Sequence, residues 1–172
     1  SQPTMFPCVQ SLSEIEMTPT LVVDLTTVAR NLARLHDYAR SHRLNVRPHT
    51  KTHKSLRMAE RQMFHGAIGL TTAKVGEAVA MAKVSSDLLV AYPAVDAHRA
   101  RVLATLARDG SVAVALDGIE GARVVADAAR AAGSTMRVLV DLDVGFHRTG
   151  TQSPAAALAL AQTIETLNGV KL

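Results

Sequence analysis

Short runs of near-continuous Val, Leu and Ala alternate with amphipathic stretches along most of this chain. That alternation constrains the fold more than any single motif. The runs fall at residues 18–25, 44–49, 67–70, 87–91, 112–116 and 136–142, and residues 170–172 begin another. Runs of this composition suit a parallel sheet buried on both faces. Between them lie helical patterns. Val28, Leu32, Leu35 and Ala39 have helical spacing, with Thr26 or Thr27 as the cap and an end near His42. Leu56, Ala59 and Met63 line a helix over residues 55–64 that Gly66 stops. Further helices run through Glu77, Ala80 and Met81, over 98–107, over 119–132, and from Pro154 through Ile164. Gly110, Gly133 and Gly169 end the last three.

Two architectures satisfy such an alternation, the open doubly wound sheet and the eight-stranded barrel. No GxGxxG follows the first strand, which weakens the dinucleotide-binding form. A complete barrel needs about 250 residues, and this chain has 172. The expected fold is therefore α/β, the N-terminal part of a (β/α)8 TIM barrel. Such a piece exposes open, apolar strand edges, so it is expected to occur with the rest of the same polypeptide or a second fragment.

Composition excludes several classes. The net charge of +4 is mild, aromatics are only 3% and tryptophan is absent, so the basic face and stacking platforms of a nucleic-acid binder are missing. No run of about 18 apolar residues predicts a membrane span, and no secretory signal is visible at the N-terminus. Cys8 is the sole cysteine, which fits a reducing, cytoplasmic setting; its plain role is that of an inert residue.

Chemistry in parallel α/β folds gathers at the C-terminal ends of strands. Residues 44–54 read LNVRPHTKTHK, a strand that runs straight into Arg47, His49, Lys51, His53 and Lys54. Like charges favour the neutral amine of a lysine, and a neutral amine attacks carbonyls to form Schiff bases. A solvated basic loop is the plainer reading. Pro48, which stiffens the backbone beside His49, and the lack of any spacer favour a site. His49 and His53 have the spacing of a zinc pair, but Thr50 stands where a catalytic glutamate belongs and no third ligand is evident. GFHRTG at 145–150 resembles a phosphate loop, yet Thr151 replaces its lysine. What that segment offers is Asp141, Asp143, His147 and Arg148 at a strand end; loop capping and salt bridges are the competing roles. Thr71 and Thr72 at a helix N-terminus form either a phosphate site or simple caps. Tyr92 at its strand end either faces the site or covers the core edge. His36, His42, His65 and His98 read as surface residues.

TPTLVVDL, RPHTKTHK, TTAKVGEA and DLDVGFHRTG, in this order and spacing, together resemble the D-threonine aldolase/D-serine dehydratase family. These are pyridoxal-phosphate enzymes of the alanine-racemase barrel type. The resemblance runs from about Thr18 onward. It implies that Lys51 carries pyridoxal 5'-phosphate covalently and that Arg148 lies beside the pyridoxal ring. Thr72, Tyr92 and His147 are the remaining cofactor candidates, and His49 and His53 the groups that tune Lys51. It places the strand around Val22 in a second, β domain. It thereby makes 18–43 a strand and helix leading into the barrel and 44–172 the partial barrel, after an N-terminal segment of residues 1–17. It also implies a homodimer, a D-amino acid substrate and a divalent metal (Mn, Mg or Zn) held outside these residues. The implied activity is a lyase acting on β-hydroxy D-amino acids, by retro-aldol cleavage or by dehydration. A racemase and a non-catalytic cofactor-binding protein are the alternatives.

Overall fold

The structure, a computed structural model, describes residues 11–15, 17–93 and 96–172. Its five strands are β1 (Leu70–Thr72), β2 (Asp87–Val90), β3 (Ser111–Leu116), β4 (Met136–Val140) and β5 (Val170–Lys171). They pair in parallel and in chain order. α1 (Leu25–Ser41) and α2 (Leu56–Phe64) precede the sheet. α3 (Val75–Met81), α4 (Ala97–Leu106), α5 (Ile119–Ala132) and α6 (Pro154–Glu165) cross over between consecutive strands. A doubly wound sheet reverses its strand order at a switch point. This sheet has no reversal, and α2 to α5 each touch the next helix in sequence. That is the winding of a barrel wall, and the expected partial α/β barrel is what the chain forms.

Burial alternates along β2 and the start of β4, while all of β1 and Val112–Val114 of β3 are buried. Leu70, Leu88, Val90, Val112, Val114, Leu116, Met136 and Val138 are buried and pack with Met81, Leu103, Val125 and Ile164 of the helices. The intervening Leu89 and Leu139 are only partly covered, Leu139 being 46% exposed. Helices thus cover one face, and the expectation of burial on both faces is corrected for the described residues. The uncovered side is the one a closed barrel turns inward.

That inward side carries one charged cluster near the N-terminal ends of the strands. Asp87 accepts from Arg47 Nη2 at 2.8 Å and also pairs with Arg137. Arg47 Nη1 donates to the Asp87 carbonyl as well. Burial alone would raise the Asp87 carboxyl, but the hydrogen bond and charge of Arg47, with those of Arg137, hold it below the usual range. Gly69 makes room for this: a Cβ there would lie 2.1 Å from Arg47 Nη1 and 2.6 Å from the Asp87 carbonyl oxygen.

Several boundaries differ from the sequence reading. Residues 18–24 form no strand; Leu21, Val22 and Val23 are exposed and pair with nothing among the described residues. An extended segment becomes a strand only against a partner. Asp24, rather than Thr26 or Thr27, caps α1, accepting from both of their backbone N–H groups. The 44–49 strand is extended but joins β1 through a single bridge, His49 to Thr71. Ile68 N donates to Val46 O and Thr71 N to Pro48 O, so two steps on one side face three on the other. Pro48 has no N–H to regularise the ladder. β1 itself lies two to three residues later than expected, which draws Thr71 and Thr72 into the strand. A short 3-10 turn at Leu12–Glu14, capped by Ser11, was not signalled by periodicity. Cys8 lies outside the described residues.

His36 is the sharpest correction. It is 7% exposed rather than on the surface, and its Nε2 has no partner. Helical spacing places it one turn after Leu32 and three residues before the buried Ala39, on the face of α1 that turns inward, while Leu35 beside it is exposed. Burial, then the charges of His65 and Arg40, push its pKa below the ordinary value of 6.5. A histidine whose folded pKa is depressed resists protonation only in the folded state. Its neutral form is fully tolerated above about pH 6.5, and stability falls as pH drops from there through the folded value. Thermal denaturation of the whole protein between about pH 7.5 and 5 should therefore show a smaller loss of Tm for His36→Gln than for the wild type. His49, depressed in the same direction, leaves a residual slope.

Candidate active site

In a parallel sheet every strand-to-helix loop leaves from the same edge. The 50–54 turn, the β1–α3 turn, Tyr92 after β2 and the 141–151 loop after β4 all lie there. Sequence reasoning placed its candidates at this edge, and the fold gathers their loops there.

The 50–54 turn is anchored at its start by Thr50, which is fully buried. Thr50 N and Oγ1 both donate to Thr71 O, at 2.8 and 3.1 Å. Lys54 N closes the turn onto Thr50 O at 2.8 Å. Lys51 sits at the exposed apex, and among the described residues its amine forms no ion pair. Its backbone N–H donates to His49 Nδ1 at 3.3 Å. The neutral His49 ring therefore carries its proton on Nε2. Burial, then the Lys51 charge, lowers the His49 pKa; Glu77 and the Thr71 backbone oppose them. His53 is used locally: Nδ1 accepts from Ser55 N at 3.0 Å, while its buried Nε2 has no partner among the described residues.

Lys54, the other cation of the turn, is not free. Its Nζ lies 3.2 Å from Glu77 Oε1. Glu77, the third residue of α3, went unremarked in the sequence except as a helix position. Its neighbour in space, Ala73 N, donates to the other oxygen at 3.0 Å.

The 141–151 loop is built on Asp143. Its side chain is 4% exposed and accepts from the N–H groups of Gly145, Phe146 and His147. These bonds lower its pKa, the His147 N–H foremost. Asp141 accepts from Thr149 Oγ1, and Asp117 from Gly150 N. The carboxylates of this segment thus shape the loop, as the plainer reading held for them. His147, at φ 56°, also turns Nδ1 to Asp143 at 3.1 Å. Arg148 takes no carboxylate among the described residues; its guanidinium lies over the Phe146 ring, 5.2 Å from the centroid. With Asp117, Asp143, His147, Thr149, Gly150 and Gln152 it lines a polar cavity of about 310 Å³.

Two further candidates lie at the ends of β1 and β2 on this same edge. Thr72 is buried within β1, and its Oγ1 turns to Leu89 O at 3.5 Å. Lys74, not Thr71 or Thr72, is the N-cap of α3, so neither threonine caps it. Tyr92 is 48% exposed beyond the end of β2. Among the described residues no group of three or more His, Cys, Asp or Glu side chains could hold a metal ion. No helix there is long and apolar enough to cross a membrane.

A parallel barrel wall with an uncommitted lysine at one strand end and an uncommitted arginine at another defines the class. The chain belongs to the family described as alanine racemase, N-terminal domain, whose sequence model matches residues 23–172. Among individual proteins it is similar to a D-threonine aldolase of Arthrobacter sp., 36% identical over 154 residues, 89% of this chain and 41% of that protein. A D-threo-3-hydroxyaspartate dehydratase of Delftia sp. (strain HT23) is 30% identical over 145 residues, 84% of this chain and 38% of that protein. The crystal structure of D-threonine aldolase from Filomicrobium marinum superposes with a TM-score of 0.88 at 34% identity, covering 91% of this chain and 42% of that one. The chain thus spans about two fifths of the length of these relatives.

Thr50→Val tests the anchor of the turn. Valine keeps the shape and the backbone bond but leaves the Thr71 carbonyl one donor short. Stability of the whole protein should fall by about 1 kcal/mol, read by urea denaturation.

Proposed function

We propose that this chain supplies the cofactor-binding half of a pyridoxal-phosphate-dependent lyase acting on β-hydroxy D-amino acids, of the D-threonine aldolase type. The observation that carries the reading is Lys51. It is a strand-end lysine whose amine forms no ion pair among the described residues, on a turn held at one end by Thr50 and at the other by Lys54. The residues present fit pyridoxal phosphate: an amine for its aldehyde, and at a neighbouring strand end an arginine without a carboxylate partner. A buried His53 Nε2 with no partner adds a polar group still to be satisfied.

Bound pyridoxal phosphate supplies an electron sink for negative charge developing at the substrate Cα. The residues of this chain do the rest. Lys51 would hold the cofactor aldehyde through Nζ, and the same amine could carry a proton to or from the substrate. His49, neutral and with its proton on Nε2, pins the Lys51 backbone through Nδ1. Arg148 holds positive charge at the ring side. The lysine turn is backed by a dry core, since Thr50 beneath it is fully buried.

In the aldolase reaction the substrate β-hydroxyl loses its proton and the Cα–Cβ bond breaks. An aldehyde leaves, and Cα takes a proton to give glycine. The likeness to the Delftia dehydratase supports a second reading, in which the α-proton and the β-hydroxide are lost instead. Product analysis with D-threonine and D-serine separates the two. Glycine and acetaldehyde identify the aldolase, and a keto acid with ammonia the dehydratase. A divalent metal, if required, is expected from residues beyond these.

Borohydride reduction of the cofactor-loaded whole protein, followed by peptide mapping, should place the pyridoxyl label on Lys51. A label on Lys54 or Lys74 overturns the assignment. Arg148→Ala should cut turnover by about a hundredfold and shift the visible absorbance of the bound cofactor, with the far-UV circular dichroism unchanged. Normal absorbance and turnover would return Arg148 to its contact with Phe146.

A further inference from the structure

Three features compete once the site is described. The cluster of Asp87 with Arg47 and Arg137 is a structural ion pair with no cavity beside it. His36, on α1, is buried beside Gly66 and close to His65, away from the C-terminal strand ends. Glu77 remains; it lies within TTAKVGEA, where sequence reading assigned it no role of its own, and it touches the lysine turn through Lys54.

A glutamate at the third position of a helix ordinarily caps it by reaching back to a backbone N–H. Glu77 does this with Oε2, which accepts from Ala73 N. A cap needs only one oxygen. The other, Oε1, is turned out of α3 to Lys54 Nζ, across the edge of the sheet. The carboxylate is only 12% exposed, although Lys54 is 59% exposed. Lys54 is also held at φ 50°, a backbone state that non-glycine residues rarely adopt. Something must hold it there. The turn between Thr50 and Lys54 thus has two moorings, Thr71 at its start and Glu77 at its end, with Lys51 between them. The Glu77 charge also favours the His49 imidazolium, as the Thr71 backbone does, against burial and the Lys51 charge, which lower the His49 pKa.

We propose that Glu77 is the positioning residue of the Lys51 turn: it moors the far end of the turn to α3 and presents its negative charge to His49. This rests on the reading of Lys51 as the cofactor lysine. Glu77 touches neither cofactor nor reacting atoms. Through Lys54 it fixes where the amine of Lys51 stands, and through its charge it offsets the cations around His49. Burial would raise the Glu77 carboxyl, but the Ala73 N–H and Lys54 outweigh it, so the group is ionised throughout the neutral range.

Glu77→Gln separates the mooring from the cap. Glutamine still accepts from Ala73 N through its carbonyl oxygen but offers no charge to Lys54. In the whole protein freed of cofactor, NMR titration of the His49 imidazole should show its midpoint lower in Glu77→Gln than in wild type. The sign follows because the glutamate charge favours the imidazolium. In the loaded enzyme, kcat should fall about tenfold or more with KM changed less than about twofold. Lys54→Met, which leaves the cap untouched, should lower kcat similarly, and the double variant should be no worse than either single one. A His49 midpoint and kcat both at wild-type values in Glu77→Gln would overturn the proposal and leave Glu77 a helix cap. Should Glu77→Gln fail to fold, unchanged turnover in Lys54→Met overturns it equally. An unlabelled Lys51 in borohydride-treated wild type refutes the cofactor reading instead, while the His49 titration still tests the contact.

Discussion

The C-terminal edge of this sheet depends on one backbone oxygen, that of Thr71. It accepts two hydrogen bonds from Thr50, one from the main chain and one from the hydroxyl. Without them the irregular 44–49 segment would meet this part of the sheet through the main-chain bonds to Val46 and Pro48 and the long Thr71 hydroxyl bond to the Arg47 carbonyl. A carbonyl with both lone pairs engaged inside a dry core is a stiff joint. The joint lies one residue before the lysine, so its stiffness passes directly to the reactive amine. A short strand of three residues, β1, can carry this burden because all three are buried.

The two ends of the sheet use charge in opposite ways. Near the N-terminal end, two guanidinium groups share the one carboxylate of Asp87. At the C-terminal end Lys51 and Arg148 are left without carboxylates among the described residues. Four acidic residues stand close by, and each is already occupied. Asp117, Asp141 and Asp143 are bound to their own loop, and Glu77 to Lys54 and Ala73. Their hydrogen-bonding spends negative charge on architecture, which keeps cationic groups available for an anionic ligand.

Much of this was legible in the chain. Alternation of apolar runs with helical spacing gave the order of elements, because each strand here is short and each helix ends on a glycine or a capping residue. Gly133, at φ 66°, ends α5 where the spacing said it would. RPHTKTHK and DVGFHRTG located the two strand ends that carry uncommitted cations. The failures share a cause. The 18–25 run has the composition of a strand, but composition cannot supply a partner to pair with. β1 was placed too early because Gly69 interrupts its apolar run, and the gap it opens is filled by Arg47 from a distant position. Glu77 and His36 were missed since both look ordinary along the helix. What distinguishes them is what arrives from other elements, Lys54 in one case and His65 in the other.

The Gly69 gap has a consequence for how the wall assembles. Register in a parallel sheet is weakly marked when neighbouring strands are runs of similar aliphatic residues, since a slip of two places keeps the same faces buried. The guanidinium of Arg47 fits only over a residue without a side chain, and only opposite Asp87. Any slipped pairing would press that group against a side chain and strand the carboxylate. The three positions act as a key cut for one alignment, which allows the remaining strands to be nearly interchangeable in composition without becoming interchangeable in place.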